Sequence, residues 1–200
     1  SGLLSTPEAV LALACLRRLN DPRDTVASAE ILSLADCEEP ETWLADRLQY
    51  LERDGDNGRW RDGGKDGHPL LTRIAQLRAQ MPLLSPSAAM ELVMTQCDLA
   101  GRVLRWRRDE LVARVRLANL EVLRNMARSY EEACLARREP ATVSGLILWF
   151  GEQAQSKLDI LAEPPIDAVK VMTHHAAKGL EWPIVILLDL EKAIQDRLWS

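Results

Sequence analysis

"VMTHHAAKGLEWPIVILLDL", residues 171–190, breaks with everything that precedes it. Upstream of it the chain reads as one polar-faced helix after another, rich in Leu, Ala and Arg. Here a short β-branched run gives way to two adjacent histidines, a Lys-Gly turn and a second apolar run ending at Asp189. In "AVKVMT" (168–173), Val169 and Val171 fall on one side of a short strand pattern, and "PIVILLD" (183–189) is apolar almost throughout, as a strand buried on both faces would be. Two strands cannot stand alone in water, so these predict the edge of an α/β sheet whose other strands come from elsewhere. Just upstream, the two prolines of "LAEPPID" (161–167) forbid a continuing helix and mark a domain boundary. The expected fold class is mainly α. A helical domain over 1–165 would be followed by a short α/β piece of two strands over 166–200.

Working back from that boundary, helix signals recur. "STPEAVLALACLRRLN" offers Thr6 as N-cap, Pro7 at the first helical position and Glu8 near the positive end of the dipole. Asp24 or Thr25 starts a second helix through Leu34. "PETWLADRLQYLER" spaces Trp43, Leu44, Leu48 and Leu51 for burial. Helices resume at "PLLTRIAQLRAQM" and at "SPSAAMELVMTQCDLAG", the latter capped by Ser85. The longest periodic stretch runs from Val103 to about Arg138, and a last helix begins near Thr142 or Ser144.

Composition narrows the class. At 47% hydrophobic residues, 200 residues can bury one large core or two small ones, and with 4% aromatics that core must be built of Leu, Ala, Val and Ile. No apolar run is long enough to span a membrane, and the first residues lack a secretory signal. Cys15, Cys37, Cys97 and Cys134 form no CxxC pair, which points to buried thiols in a reducing, cytoplasmic setting rather than to disulfides or zinc. The net charge of −5 hides an asymmetry. Residues 100–138 contain ten arginines, Arg105, Arg108 and Arg116 among them, against five acids. A local basic face is what phosphates respond to, whatever the overall charge. The plainer alternative is a solvated helix whose arginines pair with Glu121, Glu131 and Glu132.

Several tempting motifs fail. "DGDNGRWRDGGKDG" (54–67) has the composition of a calcium loop, but its twelfth residue is Lys65 where an EF-hand needs glutamate, so a flexible surface loop is expected. "GGK" lacks the upstream glycine and the hydroxyl residue of a Walker A loop. His174 and His175 have no nearby cysteine or carboxylate set to complete a metal site.

Met172, Thr173, His175, Ala177, Lys178, Gly179, Leu180, Glu181, Trp182 and Pro183 together resemble motif V of the UvrD/Rep-like superfamily 1 DNA helicases, the RecB/AddA-like members included. The first thirty residues resemble the segment after motif IV, and "RLANLEVLRNMARSYEE" is similar to the Arg-x-x-Asn-Leu helix of the family's 2B subdomain. The resemblance implies that 1–165 is mainly a helical 2B subdomain and that 166–200 re-enters the RecA-like 2A motor domain. It implies that Lys178 and Gly179 lie near the γ-phosphate, that Glu181 bonds the nucleotide ribose, and that Thr173 and His175 face the single-strand backbone. Arg105, Arg108 and Arg116 become candidates for duplex contact. On the residues alone, His175 could equally be a hydrogen-bonded loop histidine and Glu181 the partner of a neighbouring arginine.

The parent protein would use ATP and Mg²⁺ to translocate on DNA in repair or recombination, acting at duplex/single-strand junctions and alongside a nuclease subunit. With no Walker A, no magnesium-binding Asp-Glu pair and no arginine finger, the chain reads as a fragment that binds no cofactor and does not hydrolyse ATP by itself. The rival reading is a helical protein–protein docking module of a helicase–nuclease complex, without direct DNA contact.

Overall fold

The computed structural model describes residues 2–35, 39–54, 60–63, 67–106, 109–156, 171–173, 177–179, 181 and 183–188. The chain divides into two compact units, Ser1–Ile166 and Asp167–Ser200.

The first unit is organised around α1 (Pro7–Asn20). Ala9, Leu11, Ala12, Ala14, Cys15, Leu16 and Leu19 are all fully buried, so the helix is enclosed on nearly every side. Its alanines, having only a methyl group, let neighbouring backbones approach closely. Packed on α1 are α2 (Thr25–Ala35), α4 (Pro69–Leu77), α5 (Pro86–Gln96), α7 (Glu110–Arg137) and α8 (Val143–Ser156). Thr6 occupies the N-cap position but does not cap. Its hydroxyl donates backwards to the Leu3 carbonyl at 2.7 Å, closing the 3-10 turn Leu3–Ser5.

Other starts follow local chemistry. Asp24 accepts the Ala27 amide at 2.9 Å and grips Arg17 through both carboxylate oxygens. Thr142 accepts the Gly145 amide at 3.0 Å. At α5 the Ser85 hydroxyl accepts the Ala88 amide at 3.3 Å, while Glu131, reaching over from α7, accepts the Ser87 amide at 2.6 Å and its hydroxyl at 2.8 Å. A carboxylate on an unsatisfied helix N-terminus satisfies both the donors and the dipole.

The stretch read as two helices, 85–101 and 103–138, is three. The chain breaks after α5, where Asp98 takes a left-handed conformation (φ 49°) and its carboxylate accepts the Gly101 amide at 3.2 Å. Next comes α6 (Leu99–Trp106), and a second break lets Asp109 accept the amides of Leu111 and Val112 to start α7. Both aspartates compete with the helix for backbone donors, which makes them boundaries rather than exposed interior charges. At its far end α7 stops with Arg138 left-handed (φ 59°), its amide bonded to Leu135 and that of Glu139 to Cys134.

Helix α3 (Pro40–Asp54) departs from its expected burial. Of the four residues spaced for the core only Trp43 is buried; Leu44, Leu48 and Leu51 are exposed. The helix turns its Trp43–Arg47–Tyr50 side inward instead, because Trp60 arrives to form a satellite cluster with Leu32 and Trp43. Nor is the polar loop wholly a free surface segment. Trp60 is buried, 6.0 Å from the Trp43 ring, with the guanidinium groups of Arg47 and Arg61 within 5.1 and 5.3 Å of its ring. Its indole nitrogen donates to Asp46 at 2.9 Å. Two residues on, Asp62 meets the fully buried Arg18 at 2.5 Å and Arg78 at 3.8 Å.

Cys15, Cys97 and Cys134 are free and buried, whereas Cys37 lies outside the described residues. No described helix is long and apolar enough to cross a membrane. In the second unit the two expected strands are not formed among the described residues: 171–173 and 183–188 carry no strand assignment. A strand needs a neighbour to complete its ladder, and the sheet inferred for these segments had to come from elsewhere. Val171 and Ile184 to Leu188 accordingly stand exposed.

Candidate nucleic-acid interface

Two sets of residues carry the candidate chemistry, one in each unit. The first surrounds the junction of α6 and α7. The inward face of α7 presents Asn119, Leu120, Leu123 and Ala127 to the core. Asn119 Nδ2 donates to Glu8 Oε1 at 2.6 Å, and Arg116 Nε lies 3.8 Å from Glu8 Oε2. The Arg116 guanidinium also lies 5.2 Å from the centre of the Trp106 ring, on the last residue of α6. One helical turn of α7 therefore supplies both a hydrogen bond and a countercharge to a buried carboxylate, and pins the end of α6 through the same guanidinium.

This arrangement separates the three arginines singled out from the sequence. Arg116 is 18% exposed and committed to Glu8 and Trp106, so the structure gives it an internal role. Arg105 is 64% exposed and 3.5 Å from Asp98, itself 65% exposed; such an ion pair is weak in water and leaves the guanidinium accessible to another anion. Arg108 lies outside the described residues. Further along the helix, Arg124 lies 2.9 Å from both Glu91 and Glu121, Arg114 pairs with Glu110, and Arg128 donates to the Asn125 side chain. Much of the basic composition of α7 is thus answered within the unit, and Arg105 remains the best-placed described arginine of the three. Glu8, read as a helix-dipole residue, turns out to be the anchor of the junction. Its acidic type gave no sign of this, because its partners lie more than a hundred positions away.

The second set lies in the second unit. The Ala177 amide donates to the Thr173 carbonyl at 3.0 Å, and Lys178 and Gly179 follow in a turn. Gly179 has φ 83°, a backbone conformation that a side chain would strain and that glycine adopts freely directly after the lysine. Thr173, Lys178, Gly179 and Glu181 are all exposed. An ammonium beside a left-handed glycine, followed by a carboxylate, is a donor and acceptor set that suits phosphate oxygens and sugar hydroxyls. His175 lies outside the described residues.

With this geometry in hand, comparison with known proteins defines the class. Residues 72–197 match the UvrD-like helicase C-terminal domain, and the chain belongs to that family. It is 33% identical over 119 residues to the ATP-dependent DNA helicase PcrA of Leuconostoc citreum, covering 59% of this chain and 15% of that protein. Over 50 residues it is 52% identical to an ATP-dependent helicase/nuclease subunit of Oenococcus oeni, 23% of this chain and 4% of the relative. The corresponding subunit of Enterococcus faecalis is 41% identical over 87 residues, 40% of this chain and 6% of the relative. The chain thus spans only a small part of each of these relatives.

Proposed function

We propose that this chain is the part of an ATP-dependent DNA helicase that joins a helical accessory subdomain, residues 1–165, to a stretch of its second motor domain, residues 166–200. The observation that carries the reading is the unbroken register of Met172 to Pro183 with motif V, within a chain that belongs to the UvrD-like family. Lys178 and the Gly179 backbone would hold phosphate oxygens of ATP, and Glu181 would accept from the ribose hydroxyls. Thr173 and His175 would face the single strand. ATP and Mg²⁺ supply the free energy of translocation in the parent protein, and the residues that bind magnesium would lie outside this chain. On duplex DNA, Arg105 and Arg108 at the α6–α7 junction would neutralise backbone phosphates, with Arg116 holding the junction rather than touching DNA. A nuclease subunit is a further partner of the parent, in keeping with the names of the Oenococcus and Enterococcus relatives.

The experiment is fluorescence anisotropy of the 200-residue chain on a DNA fork with duplex and single-stranded arms, across a salt series. Affinity that falls steeply with salt, and a preference for the duplex arm, is the expected result. Absence of binding at low salt would overturn the DNA-contact reading while leaving family membership intact.

A further inference from the structure

Helix α3 carries an apolar arc wider than the described residues cover. At 3.6 residues per turn, Trp43, Arg47 and Tyr50 share the face that meets Leu32 and Trp60. Leu44, Leu48 and Leu51 form the adjoining face, and they are 46, 54 and 37% exposed. Spacing of i, i+4 and i+7 aligns them in one stripe about 10 Å long, the length over which a partner helix presents two turns of anchors. Its outer border is acidic: Glu41 and Glu52 follow the leucines round the helix and are both exposed. Asp46, on the far side, is turned to Trp60 and Arg61. The stripe lies outside residues 72–197, the segment shared with the helicase family.

We infer that the Leu44–Leu48–Leu51 face of α3 is a docking surface for a basic-edged amphipathic helix of a partner protein. Single exposed leucines are ordinary on a protein surface, but three in register on one helix face, continuous with a buried cluster, are not. The acidic border selects the occupant. A second copy docking antiparallel would set Glu41 of each chain against Glu52 of the other, in a chain already at net charge −5. A helix with leucine-like anchors and lysine or arginine at its edges buries the stripe and answers both glutamates. The inference is independent of the DNA-contact reading, since it uses none of the arginines at the α6–α7 junction.

The test uses the 200-residue chain and two labelled synthetic helices of about five turns with the same leucine stripe, one edged with lysine and one with glutamate. Anisotropy should show the lysine-edged peptide binding at least about ten-fold more tightly. The double substitution Leu44→Ser/Leu48→Ser should weaken that peptide about ten-fold, and Glu41→Gln/Glu52→Gln about three-fold with a shallower salt dependence. Leu135→Ser, at an exposed site on α7, should leave it unchanged. All these side chains are exposed, so circular dichroism should report an unaltered fold in each variant. Equal binding of the two peptides, or unchanged affinity in the Leu44→Ser/Leu48→Ser chain, overturns the inference. So does a dimer in sedimentation that the same double substitution dissolves, because the occupant would then be a second copy.

Discussion

Asn119, in the middle of α7, donates a 2.6 Å hydrogen bond to Glu8, in the first turn of α1, across 111 positions of sequence. The bond places a polar link beside the Arg116–Glu8 pair in the interface of the two helices, and the link is charged on one side. Hydrogen bonds to charged groups contribute about 1.5–3 kcal/mol, and leaving a buried carboxylate short of a donor costs at least as much. Asn119→Ala should therefore lower the unfolding free energy by about 2–3 kcal/mol in urea titration. Asn119→Asp should be worse at neutral pH, because two carboxylates in contact cannot both ionise. Equal losses in the two variants would show that the interaction is not electrostatic.

Asp62 meets buried Arg18 and lies near Arg78, whose side chain also donates to the Arg18 carbonyl at 3.0 Å. Removing one member of a buried ion pair typically costs about 3–5 kcal/mol. Asp62→Ala should approach that figure, whereas Asp46→Ala, at a half-exposed carboxylate, should cost about 1 kcal/mol or less. Comparable losses at the two sites would mean that Asp62 serves only as a surface residue of its loop.

Glu131 links acidity to stability in the usual carboxylate direction. Partial burial pushes its pKa up, but the amide of Ser87 and the hydroxyls of Ser85 and Ser87 outweigh this, and the net shift is below the ordinary value of 4.5. A depressed folded-state pKa gives stability that is present above the unfolded value and is lost as pH falls through the folded one. Glu131→Gln should cost about 1 kcal/mol at neutral pH and progressively less below about pH 4. Denaturation midpoints compared at pH 7 and pH 3 would reveal this convergence.

Gly145 sets helix propensity against close packing. Alanine is ordinarily favoured over glycine within a helix by about 0.5–1 kcal/mol. Here an added methyl would run into the Tyr130 hydroxyl and lie 3.0 Å from the Thr142 oxygen. Tyr130 has limited freedom to yield because its ring packs 5.8 Å from that of Trp149. Overpacking of this kind costs about 1–3 kcal/mol, so Gly145→Ala should destabilise, and Tyr130→Phe should rescue it by removing the obstructing oxygen. Thermal unfolding of the single and double variants decides the matter.

Charge reversal at Arg105 and Arg108 should weaken binding to a DNA fork and reduce the steepness of its salt dependence by about one for each phosphate no longer neutralised. Arg116→Ala should instead act mainly on stability, through Glu8 and Trp106. If Arg116→Ala weakened DNA binding as strongly as Arg105→Glu while leaving the denaturation midpoint unchanged, the two roles would have to be exchanged.

What is legible in the residues is what local chemistry decides. Pro7, Ser85 and Thr142 sit where helix starts require them, and the resemblance carried by Met172 to Pro183 lies within one short stretch, so proposing it needs no knowledge of the fold. Relations across long stretches of chain are not legible. Nothing near Glu8 announces Asn119, and nothing in a loop of Asp and Gly announces that Trp60 will be buried against Trp43. Leu44, Leu48 and Leu51 have the right spacing for a core, but periodicity says that a face is apolar without saying what covers it. Asp98 and Asp109 look like plain charges in the sequence, whereas their carboxylates serve as helix caps. The strands expected near 171 and 184 are not formed among the described residues, and only the apolar character of those segments is visible.

The enclosed position of α1 has a consequence for how the chain reaches its fold. The helix precedes in sequence the walls that enclose it, which include α5, α7 and α8, and hydrogen bonds such as Asn20 to Ser144 span 124 positions. During synthesis the leucines of α1 must wait, incompletely buried, until α8 has followed it out of the ribosome. Sequence-distant pairings of this kind slow folding and prolong the exposure of sticky intermediates. Chains interrupted before α8 should therefore aggregate or engage chaperones rather than accumulate as a smaller stable domain.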